Sequence, residues 1–337
     1  LAFLEKSGIP AAWTLLGLSA MPTDHPQNVG MLGMHGNYGP NVKTNDADLI
    51  IAIGMRFDDR VTGDLKTYAT NAKVIHLEID DAEINKNVHA DVPILGNVKE
   101  SLPMLTQKIS ANKHGDWLQE FRACDRIEFD RIINEELAPS KPGMTMGEVV
   151  HKISNAFNDD AIMVTDVGQH QMMGSRYFKF KQSRSVVTSG GLGTMGFGLP
   201  AAMGAKLGAP DRPVCLFVGD GGFQMTIQEL GTIFQTKIPV KIVLLNNNFL
   251  GMVRQWQELF FDSRYASTEL INPDFQTIAK GYHIEALKVT ERDNLEEAIQ
   301  KMVNHEGAFL LEVIVEKEGN VFPMVPSGAS VSDIRLE

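Results

Sequence analysis

Cysteine is nearly absent: Cys124 and Cys215 are the only two in 337 residues. Two thiols with no paired spacing exclude a disulfide framework and a cysteine-rich zinc site, and they fit a reducing cytoplasm. Long apolar runs are missing as well. None approaches the roughly 20 residues that span a bilayer, so no membrane partner is expected. No lysine- or arginine-rich block is present, and 31 basic against 42 acidic side chains leave a formal charge of −11, which disfavours nucleic acid as a partner. Internal repeats and low-complexity stretches are also lacking. Neither an initiator methionine nor a signal-peptide pattern opens Leu1-Ala2-Phe3, from which the chain is expected to be the inside of something longer.

What is present is ordinary for a globular protein, with 43% hydrophobic and 22% charged residues. At roughly 100–200 residues per domain the length suggests two cores. Short β-branched runs bounded by polar turns predict buried parallel strands at 47–54, 73–80 and 92–96, closed by a helix over 98–109. Trp117, Phe121, Ile127 and Ile132 recur among charges at near-helical spacing and predict a partly exposed connecting helix. A second alternating unit starts near Met144: a helix over 146–157, strands at 161–166, 214–218, 240–245 and 308–315, and helices at 225–236 and 274–281. A glycine-rich loop with its helix fills 190–207. The pattern predicts an α/β protein of two doubly wound domains with mainly parallel sheets. The expected division is 1–110, a connecting segment 111–143, and 144–337.

In such sheets ligands bind at the carboxyl ends of strands. Gly219-Asp220-Gly221-Gly222 follows the 214–218 strand directly, and twenty-four residues separate Gly221 from Asn246-Asn247, which follow the next strand. A right-handed crossover would bring Asp220 and Asn247 to neighbouring strand ends. A carboxylate and an amide oxygen are hard ligands suited to Mg²⁺, which takes further oxygens from phosphates, water and a backbone carbonyl. Glycines 219, 221 and 222 let a diphosphate approach the backbone. A turn and a loop start are the plainer account of either motif alone; together, at this spacing, they point to a metal–diphosphate site. A rival is Gly191-Leu192-Gly193-Thr194-Met195-Gly196, which matches the dinucleotide fingerprint with Asp220 as the ribose carboxylate. That alternative leaves Asn246-Asn247 unexplained. The same glycines could also serve only close helix packing.

With Gly168-Gln169-His170-Gln171, the run Gly193 to Ala202 and Gly251-Met252-Val253-Arg254-Gln255-Trp256, these motifs resemble the catalytic subunits of the acetohydroxyacid synthase (acetolactate synthase) family of thiamine-diphosphate enzymes. Met31 to Gly36 and Arg56-Phe57-Asp58-Asp59-Arg60 look like that family's FAD-binding central domain. The likeness covers nearly the whole chain. It implies that Asp220, Asn247 and the Phe249 carbonyl ligate Mg²⁺. It implies further that Val167, Gly168, Gln169, His170, Gly219, Gly221 and Gly222 hold the diphosphate, with Leu250, Gly251 and Met252 adjoining. Gly222 stands where family members often have Ser. Gly193 and Met195 would meet the aminopyrimidine, Met195 as the apolar wedge that bends thiamine; core packing is its plainer role.

The resemblance implies condensation of two 2-oxoacids with decarboxylation, in branched-chain amino-acid (isoleucine and valine) biosynthesis. The substrates would be pyruvate with a second pyruvate or with 2-oxobutyrate. Trp256 would wall the second-substrate pocket, with Met34 and Arg60 contributing from the other domain. Arg60 suits a carboxylate because its fork binds bidentately, whereas a surface pair with Asp58 or Asp59 is the alternative. FAD, structural in this family, would touch Thr14, Leu15, Met34, His35, Gly54, Arg56, Asp58, Val61, Glu78, Ile79 and Asn97, the last replacing a usual Asp. The family's pyrimidine-binding domain, with the glutamate that protonates the cofactor's N1′, has no counterpart motif here, so these residues alone are expected to be inactive. A homodimer or higher oligomer and a regulatory small subunit are the implied partners. A FAD-free catabolic acetolactate synthase, a glyoxylate carboligase and a non-catalytic cofactor-binding module are the competing alternatives.

Overall fold

The computed structural model describes residues 1–337, and the chain forms two compact units. Leu1–Gly17, Thr23–Ile133 and Phe322–Glu337 make the first; Leu18–Pro22 and Asn134–Val321 make the second. No helix is long and apolar enough to cross a membrane.

The first unit carries β1 (Ala11–Trp13), β2 (Asn28–Met31), β3 (Leu49–Ile53), β4 (Lys73–Glu78) and β5 (Val92–Leu95). β1 pairs with β2, and β3-β4-β5 form a second sheet in that order. One face of the larger sheet packs Ala52 and Val74 against Phe57, Tyr68, Ala69 and Val331. The tail residue Val331 belongs to this core because Phe322–Glu337 returns to the first unit, whereas the sequence division places it with residues 144–337. The helix Gly115–Glu128 also docks here instead of standing as a connector. Its Phe121 and Cys124 are buried. Glu128, also buried, accepts from the Asn37 side chain (3.0 Å) and the Tyr38 N–H (2.6 Å). That carboxylate caps the helix Tyr38–Thr44, whose unpaired N–H groups and positive dipole end offset the cost of burying its charge. Periodicity could show a partly apolar helix but not which core it covers.

The second unit is built on one parallel sheet of β6 (Ile162–Thr165), β7 (Val186–Thr188), β8 (Val214–Gly219), β9 (Lys241–Asn246), β10 (Glu285–Val289) and β11 (Phe309–Ile314). The order is β10-β11-β9-β8-β6-β7. Residues of β8, β9 and β11 are almost all buried, as expected of central strands covered on both faces. The expected α/β class with parallel sheets is observed: every strand pairing is parallel. Both cysteines are free and buried, Cys215 within β8.

Local sequence explains some of the helix starts. Thr145 caps Met146–Ala156 through the Glu148 N–H (3.1 Å), and Asp274 caps Phe275–Gly281 through the Thr277 N–H. The helix expected over 225–236 begins only at Glu229 and runs to Thr236, and a separate short helix, Asp220–Met225, precedes it. Thr226 interrupts them, its hydroxyl donating to the Gly196 carbonyl at 3.0 Å, a local bond that competes with helix continuation. The helix Gln169–Tyr177 escapes sequence pattern because it is buried on nearly every side and carries no apolar stripe.

Glu136 lies over the first turn of Met146–Ala156, accepting from the Gly147 N–H at 2.7 Å. Burial pushes its carboxyl up to about 7, against the lowering effect of the Gly147 and Thr145 bonds. A carboxyl raised on folding binds more protons folded than unfolded between its two pKa values, so stability falls as pH rises from about 4.5 through 7. Glu136→Gln is expected to flatten that decline, by about 1–3 kcal/mol between pH 5 and pH 8 in urea unfolding of the chain.

Candidate active site

The strand order places a topological switch point beside β6. The chain runs outward from β6 to β7, then crosses to the other side of β6 for β8 and continues to β9. Ligands bind at such crevices, outside the carboxyl ends of the strands. Four loops meet there: 166–170 after β6, 189–197 after β7, 219–222 after β8 and 247–250 after β9. β8 and β9 pair in parallel with Gly219 opposite Leu245, so Asp220 and Asn247 do leave neighbouring strand ends.

This topology is at odds with the dinucleotide alternative. In that motif the glycine-rich turn and the ribose carboxylate leave neighbouring strands of one βαβ unit. Here β6 lies between β7, which precedes the glycines, and β8, which carries Asp220.

Asp220 is 1% exposed. Its Oδ1 accepts from the Gly221 N–H (3.0 Å) and its Oδ2 from Asn272 Nδ2 (2.7 Å). Desolvation raises its carboxyl above the ordinary range, opposed first by the Asn272 bond. Asn247 accepts at Oδ1 from the Phe249 N–H (3.2 Å) and donates to Gln169 Oε1 (3.3 Å). Gln169 Nε2 reaches Gln255 Oε1 (3.1 Å) and the Gly319 carbonyl (2.9 Å). Gly251 is required by this arrangement, since a Cβ there would lie 2.0 Å from Gln169 Oε1. Val167 and Gly193 adjoin, and a Cβ on Gly221 would fall 2.7 Å from Leu250 and 4.0 Å from the Met195 methyl. Met195 therefore borders the glycine loop of β8.

His170 packs against two glycines: added Cβ atoms at Gly168 and Gly219 would each lie 2.9 Å from its ring. Burial pushes its imidazole down to about 3, so the ring is neutral, and its Nε2 has no partner. Sequence reasoning missed Asp166, which ends β6 fully buried. Its Oδ2 accepts from the Gly196 N–H (3.0 Å) while Oδ1 has no partner. A Cβ on Gly222 would approach Asp166 Oδ2 to 2.2 Å, so this packing calls for glycine at 222. Nothing in the spacing distinguishes Asp166 from a strand-end turn residue. No three His, Cys, Asp or Glu side chains gather as a metal nest. A cation at Asp220 would therefore draw on amide, carbonyl, phosphate and water oxygens, the donor set Mg²⁺ prefers. Orphaned buried polar atoms, glycine-lined approach and hard oxygen donors all fit a metal-bound diphosphate.

Trp256 lies on the helix Gly251–Phe260 in the second unit, its ring 5.0 Å from Phe260, and Met252 is on the first turn of that helix. Met34 and Arg60, in the first unit, line a cavity of ≈ 170 Å³ together with Gly63 and the tail residues Val325, Pro326, Ser327 and Gly328. The tail is held there by the Val325 N–H bond to the Met34 carbonyl (2.8 Å). Sequence reasoning did not foresee this return of the tail. Arg60 also makes a loose, exposed contact with Asp59 at 3.6 Å.

The flavin-assigned residues occupy the loops after β1 to β5. Thr14 and Leu15 follow β1, Met34 and His35 follow β2, and Gly54, Arg56, Asp58 and Val61 follow β3. Glu78 ends β4, with Ile79 next, and Asn97 follows β5. Several carry structural bonds. Asp58 caps Asp59–Thr62 and pairs with Arg56, Asn97 caps Val98–Lys108, and Glu78 Oε1 turns back to the Ile79 N–H (2.7 Å). Open space borders Gly54 and Gly96, and Ile53, Ile79 and Leu95 are exposed at the strand ends.

Residues 166–313 match the C-terminal TPP-binding domain of thiamine pyrophosphate enzymes, and residues 1–105 match the central domain of the same enzymes. The chain belongs to the thiamine pyrophosphate enzyme family, and the four-loop crevice lies in the part of the chain that matches its cofactor-binding domain. Within the family it is similar to the acetolactate synthase isozyme 2 large subunit of Escherichia coli (strain K12), 43% identical over 336 residues, 98% of this chain and 59% of the relative. The acetolactate synthase large subunit of Lactococcus lactis is 42% identical over 97% of this chain and 56% of its own length. The chloroplastic acetolactate synthase 1 of Nicotiana tabacum is 42% identical over 99% and 52%. The chain thus spans somewhat over half the length of these relatives.

Gln255 is wholly buried and ties the crevice together, accepting from the Val321 N–H (2.8 Å) and Gln169 and donating to the Val321 carbonyl (3.2 Å). Gln255→Leu leaves those groups unsatisfied, and a loss of about 1–3 kcal/mol in urea unfolding is expected.

Proposed function

We propose that this chain serves in an acetolactate synthase. It would condense pyruvate with a second pyruvate to 2-acetolactate, or with 2-oxobutyrate to 2-aceto-2-hydroxybutyrate, in branched-chain amino-acid biosynthesis. The observation that carries this is the meeting of Asp220, Asn247, His170 and Met195 on loops at the carboxyl ends of one parallel sheet. The names of the similar large subunits supply the reaction.

When bound, thiamine diphosphate supplies an acidic thiazolium C2–H and an electron sink for decarboxylating a 2-oxoacid. Asp220, Asn247 and the Phe249 carbonyl would hold Mg²⁺ through hard oxygens. Neutral His170 would donate a hydrogen bond without bringing a charge, and Val167, Gly168, Gln169, Gly219, Gly221 and Gly222 would present backbone to a diphosphate. Met195, beside Gly221 and across from Gly193, gives an apolar support for an aromatic ring. Leu250, which meets Gly221, would extend that apolar wall together with Met252, and Gly251 leaves room for the Gln169 side chain.

Arg60 and Met34, in their cavity with the tail, would receive the second oxoacid's carboxylate, the guanidinium binding it bidentately. The family resemblance assigns Trp256 to contact with the second oxoacid's side chain. FAD would lie over the β1–β5 loops as a structural group. A cytoplasmic homo-oligomer with a regulatory small subunit completes the proposal.

Binding is the direct test. Thiamine diphosphate is expected to quench the chain's tryptophan fluorescence saturably with Mg²⁺ present, and not after EDTA treatment. Asp220→Ala is expected to abolish the saturable phase, and unchanged quenching in that variant would refute the metal assignment. The four loops contain no glutamate to protonate N1′. We therefore expect the 337 residues alone, given excess thiamine diphosphate, Mg²⁺ and pyruvate, to release no acetolactate. The full-length gene product should form it, as read by colorimetric acetoin assay after acidification.

A further inference from the structure

Asp220 takes neither of its two hydrogen bonds from Asn247. One comes from the adjoining Gly221 N–H, the other from Asn272. Asn272 lies on a segment that runs back along the β9 loop, where the Leu250 N–H bonds the Thr268 carbonyl and the Leu270 N–H bonds the Asn248 carbonyl, both at 2.8 Å. Its amide nitrogen is 2.7 Å from Asp220 Oδ2 and 3.1 Å from both Asn246 Oδ1 and Asn248 Oδ1. One amide group with two hydrogens thus serves three oxygens, and it joins the end of β8 to the end of β9. Its own oxygen accepts from Gln224 Nε2 at 2.9 Å, which fixes the amide's orientation.

The arrangement continues inward. Asn246 Nδ2 donates to Glu312 Oε1 at 2.7 Å. Glu312, on β11 and 1% exposed, also receives Gln276 and pairs with Lys288 of β10 at 3.3 Å. An unbroken polar chain therefore runs Lys288–Glu312–Asn246–Asn272–Asp220 across the sheet. A carboxylate as buried as Glu312 is costly unless its hydrogen bonds are satisfied, and here Asn246, Gln276 and the half-exposed Lys288 all serve it.

We propose that Asn272 is a positioning residue for the metal carboxylate. It holds Asp220 Oδ2 so that the carboxylate presents one fixed orientation to the cation, and Asn246, anchored by Glu312, holds Asn272. This rests on the assignment of Mg²⁺ to Asp220 above. Groups that orient a metal ligand from behind typically contribute about 10–100-fold to metal affinity. A segment that merely closes a surface loop contributes nothing specific to the metal.

The probe is Mn²⁺ in place of Mg²⁺, with free Mn²⁺ followed by electron paramagnetic resonance in the 337-residue chain at saturating thiamine diphosphate. Asn272→Leu removes the donor at similar size, and Asn272→Ser removes its reach with less apolar surface. Both are expected to bind Mn²⁺ about 10–100-fold more weakly when measured well below the metal-free melting transition, which the lost hydrogen bonds lower only modestly. Unaltered Mn²⁺ affinity in the two variants overturns the proposal, and so does a loss of affinity that only follows a fall in metal-free melting temperature. If the unaltered chain takes up no Mn²⁺ with thiamine diphosphate, the metal assignment itself fails, a result distinct from either.

Discussion

The parallel alignment of β6, β8 and β9 is the constraint from which the crevice follows. Because all three strands end on the same side, the 166–170 segment, the Asp220 carboxylate and the Asn247 amide arrive at a common place without any long-range folding of loops. The loops must then approach closely, and glycine is the means. Side chains at 222 and 251 would strike Asp166 and Gln169. The cost of that closeness is buried polar atoms, and the site offsets most of it with side-chain amides: Gln169, Asn247, Gln255 and Asn272 each bridge two segments.

Much of the second unit was legible because its strands are short apolar runs followed at once by functional loops. Gly-Asp-Gly and Asn-Asn carry their meaning in their spacing, which reports a single β–α–β crossover. Topology added the discrimination that spacing lacked, since the G-x-G-x-x-G match is as good in letters as a dinucleotide fingerprint and fails only because β6 intervenes. What stayed hidden was of two kinds. Asp166, Gln255 and Asn272 matter through partners distant in sequence, and no local pattern announces them. Glu128 reads as one charge on a polar helix face, yet it is buried because a helix start 90 residues earlier takes both its oxygens.

The loop surfaces of the two units differ in chemical character. The crevice of the second is lined by glycine and amide and suits a charged, metal-bound group. The β1–β5 loops of the first expose apolar strand ends and spend their carboxylates on capping and local bonds. The tail contributes to the first unit through backbone bonding at Val325 and packing at Val331, so the last residues of the chain are part of a core and of the cavity that contains Arg60.

Both cysteines are buried, and burial raises each thiol above its ordinary range. Nucleophilic reactivity belongs to the thiolate, so both natural thiols are expected to react slowly with alkylating dyes. A cysteine introduced on an exposed position of the loops, such as Leu192 beside the Met195 turn, would be the sole reactive thiol. The same scarcity that rules out a disulfide scaffold thus makes this protein a ready background for single-site labelling, in which loop motion at the crevice can be followed by fluorescence without first removing any natural residue.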